Sequence, residues 1–342
     1  MPSKTTYNVL KKAGIDIETG DNLRYNRNDT LASSDDLTLL FDLLRSVKDK
    51  TGRPVVITPI SLVANPDFER IKSSGFKEYF YEPFTETLKR NKGSENSFNL
   101  WKEGIYQRLF VPQFHGREHL NVQVWLRALQ ENVRDTRIAF DHGIWGYNNI
   151  NPRNIYYNAA FELDNPDELD FHRSVISDGL RLFNELFGYK AEFFVPPNGP
   201  VNNRLFKTAS DCGIKYVSAS KIQRESLGNG HSRRHFHWSG QKNKYGQYSI
   251  TRNCFFEPGI ENKDWVDNCL SEIHTAFRWG KPAVISSHRV NYIGVHYPEN
   301  RDRGLRELKR LLKEIIKKWP DVEFMTSVEL GELMAEDKKG KN

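Results

Sequence analysis

The chain has 342 residues, of which 38% are hydrophobic and 12% aromatic, enough apolar mass for a large packed core and too much for a disordered chain. Charged residues are 27% with both signs interspersed, and the formal net charge is +6. No run approaches the about 18 apolar residues that argue a membrane span. No basic stripe with a recognisable reading motif marks a nucleic-acid binder.

Three cysteines, Cys212, Cys254 and Cys269, contain no CxxC pair, so neither a disulfide framework nor a zinc ribbon is expected. The N-terminus has no apolar leader run, and together these features place the chain in the cytoplasm. The excess positive charge reads as solubility with some attraction for anionic glycans.

In chain order, the first pattern is helical, over residues 5–12, and Gly14 sits where a helix ends. No strand feeds that helix. Asp35 and Asp36 follow Ser33 and Ser34 and read as a helix N-terminus. Apolar runs of strand length then recur at 54–58, 108–114, 137–140, 191–195, 214–218, 254–256, 282–286 and 322–325. Helical patterns lie between them. The clearest covers 305–316, with apolar residues at i, i+3, i+4 and i+7. Strand alternating with helix predicts an α/β fold with a parallel sheet. The expectation is a distorted (β/α) barrel of about seven parallel strands, its first strand missing or open, built as one domain over 1–335 and followed by a disordered basic tail over 336–342.

Three segments carry chemistry. His115 and His119 lie four apart where a strand gives way to a helix, so two neutral ring nitrogens can converge on one cation. The plain alternative is accidental spacing, with one histidine capping the helix. Ser286-Ser287-His288 ends an apolar strand, and a histidine there can serve as general acid or base, or merely bond to the barrel rim. Val195-Pro196-Pro197-Asn198-Gly199 is a strand running into a rigid turn, which makes Pro197 and Asn198 candidate substrate contacts. Arg252 and Glu257, at a further strand end, are candidate contacts as well, with rim salt bridging as the plain reading. His231, His235 and His237 form a rival cluster, but Arg233 and Arg234 beside them disfavour a dication. Trp145, Tyr147, Tyr156, Tyr157, Trp238 and Tyr292 could stack on sugar rings or pack in the core.

Together these segments resemble the polysaccharide deacetylase superfamily, carbohydrate esterase family 4. His115 and His119 match its metal pair, Val195 to Gly199 matches its third block at Pro and Gly only, and His288 matches the histidine of its last block. The resemblance spans about residues 50–335, weakly in the middle. It implies hydrolysis of an acetyl group from a carbohydrate. A divalent metal, most naturally zinc, would be held by His115, His119 and a carboxylate, and His288 would protonate the leaving group.

The departures are specific. The Asp-Asp strand that opens that family's domain has no counterpart ahead of His115, and Val195 replaces the family's arginine. Asp141 comes after the histidines and is a weak substitute ligand. Two histidines alone fall short of the three protein ligands usual for catalytic zinc. Two alternatives follow: a degenerate domain that binds glycan without cutting it, and a glycoside hydrolase using paired carboxylates such as Glu257 and Asp141.

Overall fold

A computed structural model describes residues 4–20, 22–147, 155–218, 220–261 and 263–339. Helices α1 (Lys4–Lys12), α2 (Asn22–Asn28) and α3 (Ser34–Arg45) come first. Ser33 caps α3 through a reciprocal box, its hydroxyl accepting from the Asp36 N–H while the Asp36 carboxylate accepts from the Ser33 N–H.

Strands β1 (Ile60–Leu62) and β2 (Ala64–Pro66), helix α4 (Phe68–Ser73), strand β3 (Tyr81–Pro83), and helices α5 (Phe84–Arg90) and α6 (Ser97–Tyr106) follow. Next come β4 (Gln113–Gly116), α7 (Val122–Gln130), α8 (Arg134–Asp141), the long α9 (Leu169–Phe187), β5 (Phe193–Phe194), α10 (Leu205–Asp211) and β6 (Tyr216–Ser218). The hairpin β7 (Ile222–Gly228) and β8 (His231–Phe236) precedes β9 (Tyr248–Ile250) and β10 (Cys254–Phe255). Helix α11 (Trp265–Arg278), β11 (Ile285–Ser286), α12 (Pro298–Lys318) and α13 (Ser327–Lys339) complete the described chain.

Five strands form one parallel sheet in the order β1–β4–β5–β6–β9. A single row crosses it, from Ser61 through Phe114, Phe194 and Val217 to Ser249. Phe114 and Phe194 in that row are fully buried, with ring centroids 5.3 Å apart. Each such ring contributes about 1.5–3 kcal/mol by leaving water. β10 and β11 form a separate parallel pair. Seven parallel strands therefore exist among the described residues, but in two pieces, and a closed seven-stranded barrel is not formed.

Several expected strands differ. Residues 137–140 lie in α8, whose buried Thr136, Ala139 and Phe140 follow the i, i+3, i+4 rule of a helix; the run was too short to tell the two periods apart. Residues 54–58 contribute only isolated bridges, Lys48 with Pro54 and Ile57 with Phe110. Residues 322–325 form no ladder, because side chains take backbone donors there and just beyond. The Phe324 N–H donates to the Asp49 carboxylate at 3.1 Å, and the Ser327 N–H to the Thr58 hydroxyl at 3.0 Å.

The pattern at 305–316 extends in both directions into α12, which starts on Pro298, where a missing N–H costs nothing. The tail expected to be disordered is helical through Lys339, and 340–342 lie outside the described residues. All three cysteines are free. No described helix is long and apolar enough to cross a membrane.

Candidate functional site

β4 and the turn after it place the histidine pair. Alternation along the strand sends Phe114 into the core and His115 to the wall of a cleft. Gln113 ties β4 to β5, its side-chain oxygen accepting from the Glu192 and Phe193 N–H groups. His115 Nδ1–H donates to the Val195 carbonyl at 2.6 Å, which fixes the tautomer and leaves Nε2 bare.

The turn from β4 to α7 is pinned at both ends. At Gly116 a Cβ would lie 3.3 Å from the Glu118 carbonyl, with φ at +151°, so only glycine fits without strain. Arg117 is buried in a two-armed pair with Glu118 and also reaches Asp178 on α9 at 3.0 Å. Asn121 caps α7 through Val124 N–H and donates to the Ala159 and Glu162 carbonyls. His119 is thereby held with its ring centroid 5.0 Å from that of His115 and 6.3 Å from Trp145, nearly parallel to the indole.

The second corner is built by β10, β11 and the turn after β11. The Phe256 N–H donates to the Ser286 carbonyl at 2.9 Å, which sets Glu257 beside His288. His288 Nδ1–H donates to the Glu257 carboxylate at 2.5 Å. The other carboxylate oxygen accepts from Arg24 at 2.8 Å and from the Asn291 amide at 3.0 Å. Tyr25 sets its ring edge-on to His288 at 5.9 Å. Asp29 holds the next residue, Arg289, through two bonds of 3.0 and 2.7 Å. Burial alone would raise the Glu257 carboxyl, but the bonds from His288, Arg24 and Asn291 outweigh it, and its pKa lies below the ordinary value.

Both corners open on one cleft of about 2440 Å³, well above the 300–1,000 Å³ or so of a small-molecule pocket. His115, His119, Trp145, Asn198, Arg252 and His288 line it. It continues between residues 55–60 and 283–286 toward Trp319, through the opening that the divided sheet leaves. Burial, then the neighbouring His119, Arg252 and His288, push the His115 pKa down to about 3; burial pushes His119 to about 4. Both rings are therefore neutral at neutral pH.

Neutral imidazoles are what a metal requires of histidine, and the His119 Nδ1 is buried without a hydrogen-bond partner. Yet among the described residues no group of three or more His, Cys, Asp or Glu side chains is placed to hold a metal. Arg252 also stands near enough to His115 to disfavour a further positive charge. Asp141 lies at the end of α8, exposed and paired with Lys72 at 3.0 Å, so it supplies neither a third ligand nor a carboxylate partner for Glu257 in the cleft. The donor set does not fit the three-ligand zinc centre that the resemblance implies.

The structure thus brings together His115, His119, Arg252, Glu257 and His288. Asn198 and Gly199 form the expected turn, with φ of +53° and +88°. Asn198 lines the cleft with Pro196, whereas Pro197 is buried against Gly116 and makes no wall. Tyr147 and Tyr157 are buried and bonded to Thr136, and Tyr292 to Ser287; Tyr147 and Tyr292 also line the cleft. Tyr156 and Trp238 are exposed.

The rival cluster is a hairpin strand in which His235 bonds to Glu225 and His237 to Gln223 and Gln241. Sequence reasoning missed Arg24 and Asn291. Arg24 gave no signal in a polar helix 233 positions from its partner; Asn291 lies three residues past His288 and was within reach.

No protein-family profile matches the chain, and no curated protein matches it. Among solved structures, a Mycobacterium smegmatis protein named as a polysaccharide deacetylase is 11% identical over 94% of this chain and 82% of that one, with a TM-score of 0.45. A 4-alpha-glucanotransferase from Thermococcus litoralis is 12% identical over 90% of this chain and 36% of that one, with a TM-score of 0.44. An alpha-amylase from Thermotoga maritima is 9% identical over 92% and 62%, with a TM-score of 0.40.

Proposed function

We propose that this chain is a carbohydrate-directed hydrolase that removes acetyl groups, with His288 as the group that moves the proton. One observation carries the reading. The Nδ1 of His288 is bonded to the buried Glu257 carboxylate at 2.5 Å, while the ring itself lines the cleft. A carboxylate behind an imidazole fixes its tautomer and supports the cation that forms when the bare Nε2 takes a proton. His288 can thus accept a proton from water attacking an acetyl carbonyl and return it to the leaving amine or alkoxide. The cleft has room for several sugar units, and Trp145 offers a flat face in its wall.

The substrate assignment rests on the motif resemblance at His115, His119 and His288. Glycan recognition without hydrolysis is the second reading. It is favoured by the lack of a third donor among the described residues and by Val195 in place of an arginine.

Acetate release from acetylated chitin and xylan oligosaccharides tests the choice. The wild-type chain is expected to release acetate, and His288→Ala to lose about 10²–10⁴-fold in kcat. Binding of these oligosaccharides with no acetate released by the wild-type protein would establish the second reading instead.

A further inference from the structure

We infer that the cleft selects an acidic glycan, a chain of sugars bearing carboxylates, with one carboxylate seated on Arg252 and others along the β7–β8 hairpin. The inference rests on the reading of the cleft as a carbohydrate site, and it names the substrate class. Arg252 lines the cleft and makes one described side-chain bond, to the Ser286 hydroxyl at 3.2 Å. It has no ion pair among the described residues. Glu257, the carboxylate whose charge reaches Arg252, is itself paired with Arg24 at 2.8 Å. Arg252 thus faces the cleft with no ion-pair partner of its own among the described residues. A fork of this shape pairs with a carboxylate through two parallel bonds.

The hairpin is a separate observation pointing the same way. Ser220 and Gln223 at its base line the cleft, so the ribbon stands at the rim. Residues 220–244 hold six Lys and Arg against one acid, Glu225, which is buried and bonded to His235. This stretch accounts for five of the chain's six net positive charges. Lys221, Arg233 and Arg234 have no ion pair among the described residues. Phe236 and Trp238 stand beside them, 69% and 61% exposed. Cations interleaved with open aromatic faces suit a polymer of charged rings. A guanidinium within the cleft, bonded to Ser286, favours a sugar chain that threads inward over a nucleic acid held at the surface.

The test is equilibrium binding, read without turnover. The probes are hyaluronan and galacturonate hexasaccharides, a neutral chitin hexasaccharide, and a single-stranded DNA oligomer. At least one acidic sugar is expected to bind on the order of ten-fold tighter than the chitin chain at low salt. Arg252→Gln should erase that margin by weakening acidic sugars about ten-fold more than chitin, whereas Arg252→Lys should keep most of it. Arg233→Gln with Arg234→Gln should weaken acidic sugars about three-fold and flatten their salt dependence. Melting curves check that each variant is folded.

Equal binding of acidic and neutral sugars, an unaltered margin in a folded Arg252→Gln, or DNA as the tightest ligand would each overturn the inference. Acidic-sugar binding without acetate release would overturn the hydrolase reading alone. Acetate release with no preference for carboxylates would overturn this inference alone.

Discussion

His288 and the pair His115–His119 face the same cleft from different strand ends, yet their surroundings differ in kind. Behind His288 stands a carboxylate, itself held by an arginine and an asparagine. Behind His115 stands one backbone carbonyl, and the Nδ1 of His119 has no hydrogen-bond partner among the described residues. The first arrangement supports a ring that gains and loses a proton, because each form has a partner ready. The second supports rings that stay neutral, since burial penalises the cation more than the neighbouring backbone carbonyls repay it. A histidine's role is therefore set by its neighbours, and three histidines matched to one motif set need not share a fate.

The sharpest way to break that comparison is to remove the carboxylate. Glu257→Gln keeps the size of the side chain but cannot balance the His288 cation. It is expected to lower kcat by on the order of 10²-fold or more, with little change in KM. It also leaves Arg24, only 11% exposed, without its anion, a change that costs roughly 3–5 kcal/mol where buried pairs are split. Glu257→Asp, which keeps the charge, should retain more of both. Near-normal turnover in a folded Glu257→Gln would mean that the ion pair is structural, and the contrast between the two corners would collapse.

Metal content probes the other corner. After zinc loading and buffer exchange, the wild-type chain is expected to retain well under one equivalent, and His119→Ala no less. The reason is the donor count: two imidazoles and a nearby guanidinium against the three ligands usual for a catalytic ion. One zinc per chain, lost in His119→Ala, would show that a donor outside the described residues completes the site. The resemblance would then hold at the metal.

How much of this was legible depended on distance along the chain. The strand-to-helix junction at 113–122 could be read because alternation, glycine, cap and histidines are all local there. The partnership of His288 with Glu257 could not be read, since 31 residues separate them and only the pairing of β10 with β11 brings them together. Arg24 lay further out still. The expected strands at 54–58 and 322–325 had the right composition. What composition could not reveal was that Asp49 and Thr58 would take backbone donors at Phe324 and Ser327. Pattern reports which face of a segment is apolar; it does not report which neighbour satisfies the backbone.

His172 offers the smallest effect and the cleanest control on using a depressed pKa as a sign of function. It lies on α9, 2% exposed, with Phe161 and Phe171 beside it and both ring nitrogens unpartnered. Burial pushes its pKa down to about 4, as it does for His119, but His172 does not line the cleft. The fold prefers the neutral ring. Its contribution to stability is therefore present above the ordinary value near 6.5 and is lost as pH falls toward 4.

His172→Leu removes that dependence together with two buried polar atoms whose desolvation opposes folding. The expected result is a stability at pH 7 within about 1 kcal/mol of wild type and not below it, a shallower fall in Tm between pH 6.5 and 4, and unchanged acetate release. A large loss of activity in a stable His172→Leu would show that α9 transmits something to the cleft. In that case burial and a lowered pKa would mark function at His172 as well as at His115 and His119.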